Sequence, residues 1–421
     1  MFQIGVIGAG YVGLSTALGF AELGYNVHLI ESDLSKYSSL LQANAPFKEP
    51  EFTQLLVKHL GKTLSLGTSV EELKTCNYVF ICVGTPSAAD GSSDLSAVYS
   101  VCASLMQNSL SPQTWILKSS IPPGTTRKLC NDLGLDTSQV VCNPEFLREG
   151  HCIEDFMRPH RIVIGSDDSR VVQEVTNLYS AIETQVVSCS PTEAELIKYT
   201  SNSALAVKLS FANEISDLCD AMDSNTSVVL EGVGLDPRIG AGMLVPGPGW
   251  GGSCLPKDTR ALIHVATQLE VSLTMIDSAV NSNFARAERI AQTLIQELRH
   301  SNQNNIAVWG LTFKAETNDL RESPALTVIA LLLNAGIRVT AFDPAVQKET
   351  LIDSRVEVAH SALEACKYSQ LLVVMTEWAC FREIEVAEIT LRTTLRTVLD
   401  TRGILDQPSW ESAGFKFLTI E

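Results

Sequence analysis

The chain has 421 residues, 45% of them hydrophobic and 19% charged, with a formal net charge of −17. That length is too great for one ordinary core and predicts two or three domains. The negative charge repels phosphate backbones and anionic lipid, so neither nucleic acid nor a membrane is expected as a partner.

The seven histidines show no ligand spacing and the eleven cysteines no C-x-x-C pair, so no metal site is expected. The odd cysteine count, with Cys82 and Cys142 inside apolar runs, predicts free thiols in a reducing, cytoplasmic compartment. The N-terminus, from Met1 to Gly8, lacks the basic region of a signal peptide. The longest apolar run, about Ala325 to Leu333, falls short of the roughly 20 residues that cross a bilayer.

In chain order, strand patterns occur at Ile4–Ile7, Val27–Ile30, Tyr78–Val83, Trp115–Leu117, Val140–Cys142 and Arg161–Ile164. The spacing leaves room for helices between several of them, as in a parallel α/β sheet. The pattern then changes: Glu193–Met222 and Thr274–Leu298 read as long helices, separated by a Gly/Pro-rich stretch from Gly232 to Gly252. Strand patterns resume at Ile306–Val308, Val339–Phe342, Leu371–Met375 and Val398–Leu399.

The two ends echo each other. Val6-Ile7-Gly8 and Leu23-Gly24-Tyr25-Asn26-Val27 correspond to Val308-Trp309-Gly310 and Ala335-Gly336-Ile337-Arg338-Val339, with about ten extra residues in the later copy, assigned to Phe313–Glu322. The expected fold is α/β: two Rossmann-like, doubly wound parallel-sheet domains, 1–190 and 301–421, joined by a helical central domain, 191–300, with a long connecting helix.

Gly8-Ala9-Gly10-Tyr11-Val12-Gly13 follows a strand and opens a helix, the context in which G-x-G-x-x-G holds a pyrophosphate. Glu31 ends the second strand about 20 residues on, where an acid accepts hydrogen bonds from a ribose diol. The same acid repels a 2′-phosphate, so NAD is expected rather than NADP.

Three further clusters follow strand ends: Gly84-Thr85-Pro86, Lys118 to Gly124, and Asn143 to Gly150. Each alone is more often a turn than a site. Glu145 and Glu149 stand one helical turn apart in a predicted helix start, either a site or a solvated acidic turn. Lys198 and Asn202 share a helix face at i and i+4, able to stabilise an oxyanion or simply to face solvent. Lys208, Asn213 and Glu214 on the same helix read as packing and surface residues. In Gly249-Trp250-Gly251-Gly252-Ser253-Cys254-Leu255-Pro256-Lys257-Asp258, a thiol follows a glycine cluster beside a cation and an acid. This is the setting of a reactive thiolate rather than a buried hydrophobe. G-x-S-x-G is absent, which disfavours a serine hydrolase.

Taken in order, Gly8–Gly13, Gly84–Pro86, Lys118–Pro122, Asn143–Gly150, Glu195–Glu214, Gly249–Asp258, Phe313–Pro324 and Asp400–Arg402 resemble the motifs of the UDP-glucose/GDP-mannose dehydrogenase family over nearly the whole chain. The resemblance implies oxidation of a sugar-nucleotide primary alcohol to a carboxylate, with two NAD and no metal. UDP-glucose is the expected substrate, with GDP-mannose or another UDP-hexose as the alternative. A two-electron dehydrogenase and a catalytically silent sugar-nucleotide-binding protein are the competing readings.

By the same resemblance Cys254 is the nucleophile, holding the aldehyde as a thiohemiacetal and then as a thioester. Lys198 and Asn202 stabilise oxyanions, with a water shared with Asp258, and Glu145 serves thioester hydrolysis. Ser120, standing where the family usually has Thr, and Glu149 lie near the cofactor. Further cofactor contacts fall on Gly8, Gly10, Tyr11, Val12, Gly13, Glu31, Lys36, Thr85, Lys257 and Arg321. Substrate contacts fall on Glu145, Phe146, Leu147, Lys198, Asn202, Gly251, Phe313, Lys314 and Arg402. Arg238 reaches the sugar pocket of a neighbouring subunit, so a homodimer through the central helices is expected, and the C-terminal domain holds the UDP portion.

Several positions depart from the family pattern: Trp250 where Tyr or Phe is common, Met243 where some members carry an aromatic, and Lys48 where Tyr is frequent. Leu255 occurs in several branches, while Ser253 before Cys254 argues against the N-acetylhexosamine branch.

Overall fold

The computed structural model describes residues 3–88, 90–108, 112–351 and 353–420. Met1 and Phe2 of the N-terminal reading lie outside them. The chain divides into two units: residues 1–201 with 260–272, and residues 202–259 with 273–421.

The first unit is built on β1 (Gln3–Ile7), β2 (Asn26–Ile30), β3 (Leu64–Gly67), β4 (Tyr78–Ile81), β5 (Thr114–Leu117), β6 (Val140–Cys142), β7 (Ile162–Gly165) and β8 (Val186–Cys189). They form one sheet in the order β3-β2-β1-β4-β5-β6-β7-β8. The pairs are parallel except β6 with β7, which meet antiparallel at Cys142 and Gly165. The first six strands have the 3-2-1-4-5-6 order of a doubly wound dinucleotide fold.

Side chains alternate along these strands, so one strand feeds two cores. Tyr78 and Phe80 pack with Ile4, Val6, Leu14, Phe20 and Leu29 on one face. Val79 and Ile81 pack with Ile7, Leu117 and Leu129 on the other. Burial on both faces explains why β4 reads as an unbroken apolar run. The edge strands β3 and β8 gave no such signal, being short and partly polar: Leu64-Ser65-Leu66-Gly67 and Val186-Val187-Ser188-Cys189.

The second unit holds a parallel sheet of β9 (Asn305–Trp309), β10 (Arg338–Phe342), β11 (Glu357–Val358), β12 (Leu371–Val374), β13 (Thr397–Asp400) and β14 (Lys416–Phe417). Its order is β11-β10-β9-β12-β13-β14, the first sheet's winding repeated.

The internal echo is structural. Gly8 N donates to Ile30 O and Gly310 N to Phe342 O, both at 2.8 Å. Ala9 N donates to Glu31 Oε2 at 3.0 Å, and Leu311 N to Asp343 Oδ2 at 2.8 Å. The additional residues of the second copy lie between β9 and the Pro324–Asn334 helix, whereas only residues 8–10 separate β1 from the Tyr11–Glu22 helix. Two long helices were expected, and both are present: Pro191–Ala221, with 31 residues, and Thr274–His300, with 27.

Candidate active site

At the β1 turn the three fingerprint glycines answer to different constraints. Gly8 has φ +95°, a left-handed conformation that favours glycine. A Cβ on Gly13 would stand 1.7 Å from Gly8 O, so the helix can approach the strand only without one. A Cβ on Gly10 would meet no protein atom within 4 Å. Gly10 is also the N-cap of the Tyr11–Glu22 helix, and no side chain caps that end. An open cradle at a helix N-terminus fits a pyrophosphate. Glu31 is buried, with Oε2 accepting from Ala9 N and Oε1 from Asp33 N. Each oxygen keeps a second lone pair for a ribose hydroxyl. The residues present therefore fit a dinucleotide. Lys36 lies exposed on the next helix, its N–H on Asp33 Oδ1.

Behind this turn lies a buried polar cluster built from the ends of β5 and β6 and from the Pro191–Ala221 helix. Lys198 Nζ donates to Glu145 Oε1 at 2.7 Å, and Leu147 N donates to Glu145 Oε2 at 2.7 Å. Burial by itself would raise the Glu145 pKa; the charge and hydrogen bond of Lys198, the Leu147 amide and the charge of Lys118 outweigh it and hold it below the usual value. Burial likewise pulls Lys118 down to about 8, partly opposed by the nearby Cys82 and Glu145. Lys118 Nζ donates to Asn143 Oδ1 at 3.1 Å, and Tyr179 Oη donates to the same oxygen at 2.7 Å. Phe146 carries the Arg161 guanidinium 3.6 Å from its ring centroid, with Lys198 Nζ at 5.5 Å.

Residues 143–148 are irregular, and the next helix begins at Cys152. Glu145 and Glu149 therefore do not share a helix face, contrary to the spacing argument. Glu49 explains why the segment stays irregular: it accepts from Gly150 N at 2.7 Å and Cys152 N at 2.8 Å, a long-range cap that competes with helix formation. Glu149 sits half-buried in the turn. Thr85 Oγ1 and Tyr199 Oη both donate to Ser120 O, at 2.8 and 3.3 Å. One turn before Lys198, Glu195 accepts from Gly124 N, Thr126 N and Thr126 Oγ1 at 2.6–2.7 Å.

In the second unit Cys254 stands directly before the Leu255–Gln268 helix, its carbonyl accepting from Asp258 N at 2.9 Å. A helix N-terminus favours negative charge at that sulfur. Ser253 Oγ lies 3.5 Å from it. Asp258, one turn on, is fully buried. Its oxygens accept from Lys257 Nζ and Asn202 Nδ2, each at 2.6 Å.

The glycines before Cys254 are required by close approach. Added Cβ atoms would stand 2.8 Å from Arg402 Nη1 at Gly247, 2.8 Å from Asn283 Oδ1 at Gly249 and 2.1 Å from Glu322 O at Gly251. At Gly252 the Cβ would stand 2.8 Å from the Phe313 ring. Lys314 Nζ lies 5.6 Å from that ring's centroid. The half-buried Arg402 guanidinium donates to Phe313 O at 3.2 Å and Met375 O at 3.0 Å, with Glu377 Oε2 at 3.1 Å. This unit thus brings together Asn202, Lys257 and Asp258, and separately Phe313 and Arg402, with Gly252 against the Phe313 ring and Gly251 against Glu322. Arg321 pairs with Asp319 at 2.6 Å. Arg238 is exposed on a turn and pairs with Asp236 at 2.5 Å.

Sequence reasoning passed over Asn213, Asn283 and Arg286, which hold this loop. Asn213, expected among the packing and surface residues, accepts through its Oδ1 from Gly247 N at 2.8 Å. Their only signal was a run of polar residues on long helices, which any solvated face also shows. Among the described residues, no group of three or more metal-ligating side chains occurs and no helix is long and apolar enough to cross a membrane.

A dinucleotide turn at the head of a doubly wound sheet, with a cysteine loop braced in a second Rossmann-like unit, defines an NAD-dependent dehydrogenase. Family profiles match in register: the NAD binding domain over residues 2–183, the central domain over 192–285 and the UDP binding domain over 307–407. The chain belongs to the UDP-glucose/GDP-mannose dehydrogenase family. It is 37% identical over 439 residues to the UDP-glucose 6-dehydrogenase of Rhizobium meliloti (strain 1021), covering 99% of each. The UDP-glucose 6-dehydrogenase of Rickettsia conorii is 35% identical, again over 99% of each chain. Among solved structures, a UDP-glucose dehydrogenase from Pyrobaculum islandicum superposes with a TM-score of 0.88 at 32% identity, covering 97% of this chain and 96% of that one. NAD is the cofactor, and the UDP-binding match points to a sugar nucleotide as substrate.

Proposed function

We propose that the chain oxidises the C6 alcohol of UDP-glucose to UDP-glucuronate in a four-electron reaction. The observation that carries this reading is Cys254 at a helix N-terminus, one turn from buried Asp258, in a chain that also has a dinucleotide turn. The relatives named UDP-glucose 6-dehydrogenase support the choice of sugar.

Residues 1–190 hold NAD through Gly8, Gly10, Tyr11, Val12, Gly13 and Glu31, with Lys36, Thr85, Ser120, Glu149, Lys257 and Arg321 as further contacts. When bound, NAD supplies the hydride acceptor for each of the two oxidations. Residues 191–300 supply Cys254, whose thiolate adds to the aldehyde carbon and forms a C–S bond. The thiohemiacetal oxidises to a thioester, and water then displaces the thiolate to leave the carboxylate. Lys198 and Asn202 donate hydrogen bonds to the oxygen as it gains charge. Asp258, already bridged to Asn202 and Lys257, moves the proton, and Glu145 orients the hydrolytic water. Residues 301–421 hold the UDP portion through Phe313, Lys314 and Arg402, while Phe146, Leu147 and Gly251 line the sugar. Covalent retention keeps a reactive aldehyde out of water between the two steps.

We read the assembly as a homodimer. Phe211, Leu218, Met222, Val228 and Val229 leave apolar surface exposed on the central helices, and Arg238 then serves the partner's sugar site. Sedimentation gives the mass that decides it. Eleven free cysteines support a reducing, cytoplasmic setting.

The test is NADH stoichiometry across UDP-glucose, UDP-galactose, UDP-N-acetylhexosamines and GDP-mannose. Two NADH per UDP-glucose and a uronate product are expected. One NADH per turnover, or a preference for another sugar nucleotide, overturns the reading.

A further inference from the structure

The segment from Gly247 to Gly252 is gripped at its backbone by residues far away in sequence. Asn283 Oδ1 accepts from Trp250 N at 2.7 Å and Asn283 Nδ2 donates to Trp250 O at 2.9 Å. One carboxamide thus satisfies both main-chain groups of one residue, as a neighbouring strand would. Gly249, at φ +130°, passes so close to Asn283 that no side chain fits between them.

Trp250 is buried, and its indole Nε1 donates to Ser210 Oγ at 2.9 Å, which donates to Ala279 O at 3.1 Å. At the loop's start, Gly247 N donates to Asn213 Oδ1 at 2.8 Å and Arg286 Nε donates to Gly247 O. Arg286 is buried and held by Asp217 at 2.6 Å. At its end, Gly252 N donates to Arg321 O at 3.0 Å, two residues before Cys254.

We infer that Asn283 is a positioning residue for Cys254: its two-point clasp on Trp250, with the Trp250–Ser210 bond, sets where the thiol stands. This rests on Cys254 being the nucleophile. It also gives Trp250 a role in holding the loop. Phe at this position would have no N–H or O–H to give Ser210, so the indole N–H of Trp250 anchors the loop.

The test uses the full chain with UDP-glucose and NAD. Asn283→Ala and Asn283→Asp are compared with Asn281→Ala, an exposed neighbour on the same helix, and with Cys254→Ala. Displacing a reacting group by about 1 Å costs on the order of 100-fold. Both Asn283 variants are therefore expected to lose about ten- to hundredfold in kcat. Their KM values should stay within about threefold, the signature of a group that does not itself bind substrate. Asn281→Ala should keep its kcat. Iodoacetamide labelling of Cys254, followed by mass spectrometry, should change in rate in Asn283→Ala; an unchanged rate overturns the inference.

If the Asn283 variants fail to fold, Trp250→Phe and Ser210→Ala carry the test. Each should lower kcat severalfold, and the pair together no further than the larger single loss, because both break one bond. Full activity in both, or strictly additive losses, overturns the inference. Activity retained in Cys254→Ala sinks the nucleophile reading itself. An inactive Cys254→Ala alongside a fully active, folded Asn283→Asp sinks only the positioning role.

Discussion

Lys198 Nζ lies 2.7 Å from Glu145 Oε1, and both side chains are almost sealed from solvent, at 4% and 5% exposure. Breaking such a pair from one side leaves a buried charge without its partner, at a cost of about 3–5 kcal/mol. Lys198→Met should lower stability by that order in urea unfolding at pH 7. It should also remove an acid-side transition. Glu145 has a lowered pKa in the folded chain, so its contribution is present above its ordinary value of 4.5 and is lost as pH falls through the lower folded value. A variant as stable as the parent would show that the pair is not coupled to folding.

Glu145→Gln keeps the shape and removes the charge proposed to orient the hydrolytic water. Oxidation should proceed to the thioester and then stall. Rapid mixing should show a burst of NADH followed by slow turnover, with intact protein carrying the added mass of the sugar nucleotide. Loss of the burst itself would move Glu145 to an earlier step.

Cys254→Ala should lower turnover by on the order of 10³-fold or more, the scale of deleting a nucleophile. NAD binding, followed by fluorescence titration, should be unchanged. Weakened NAD binding would mean that the thiol contributes to cofactor affinity.

The fingerprint glycines should separate in their effects. Gly13→Ala forces a Cβ to 1.7 Å from Gly8 O. Overpacking of this kind typically costs about 1–3 kcal/mol, so both melting temperature and NAD affinity should fall. Gly10→Ala meets no protein atom within 4 Å and should leave the melting temperature alone while raising KM for NAD. Equal thermal losses in the two variants would contradict the open cradle at Gly10.

Glu195 should show the opposite pH behaviour to Glu145. Burial raises its pKa from 4.5 to about 7, despite hydrogen bonds from Thr126 and Gly124 that favour the ionised form. The folded chain therefore holds this proton more tightly than the unfolded chain. Stability should decline between pH 4.5 and about 7 and level off above it. The difference in unfolding free energy between parent and Glu195→Gln, measured across that window, should carry this slope. A flat difference would place Glu195 as an ordinary exposed carboxylate.

Much of the fold was legible because its signals are local. Unbroken apolar runs marked the central strands of both sheets, and Gly8 to Gly13 carried a turn whose purpose is read from its spacing between a strand and a helix. The echo of Val6-Ile7-Gly8 in Val308-Trp309-Gly310 resolved into the same backbone bonds, with the added residues between β9 and its helix. The expected helix through Glu145 and Glu149 failed because Glu49, about 100 residues earlier in the chain, takes the amides of Gly150 and Cys152.

By itself the sequence determined the two Rossmann-like sheets and the dinucleotide turn, and marked the cysteine loop as a candidate site. Each depends on residues within a few positions of one another. Only the tertiary structure decided what holds that loop. Asn213, Asn283 and Arg286 act on backbone amides and carbonyls more than 30 residues away. Backbone groups are the same at every position, so recognition of one leaves no mark on its neighbours. In the sequence Trp250 is only a departure from the family pattern; the bond from its ring N–H to Ser210 belongs to the tertiary structure.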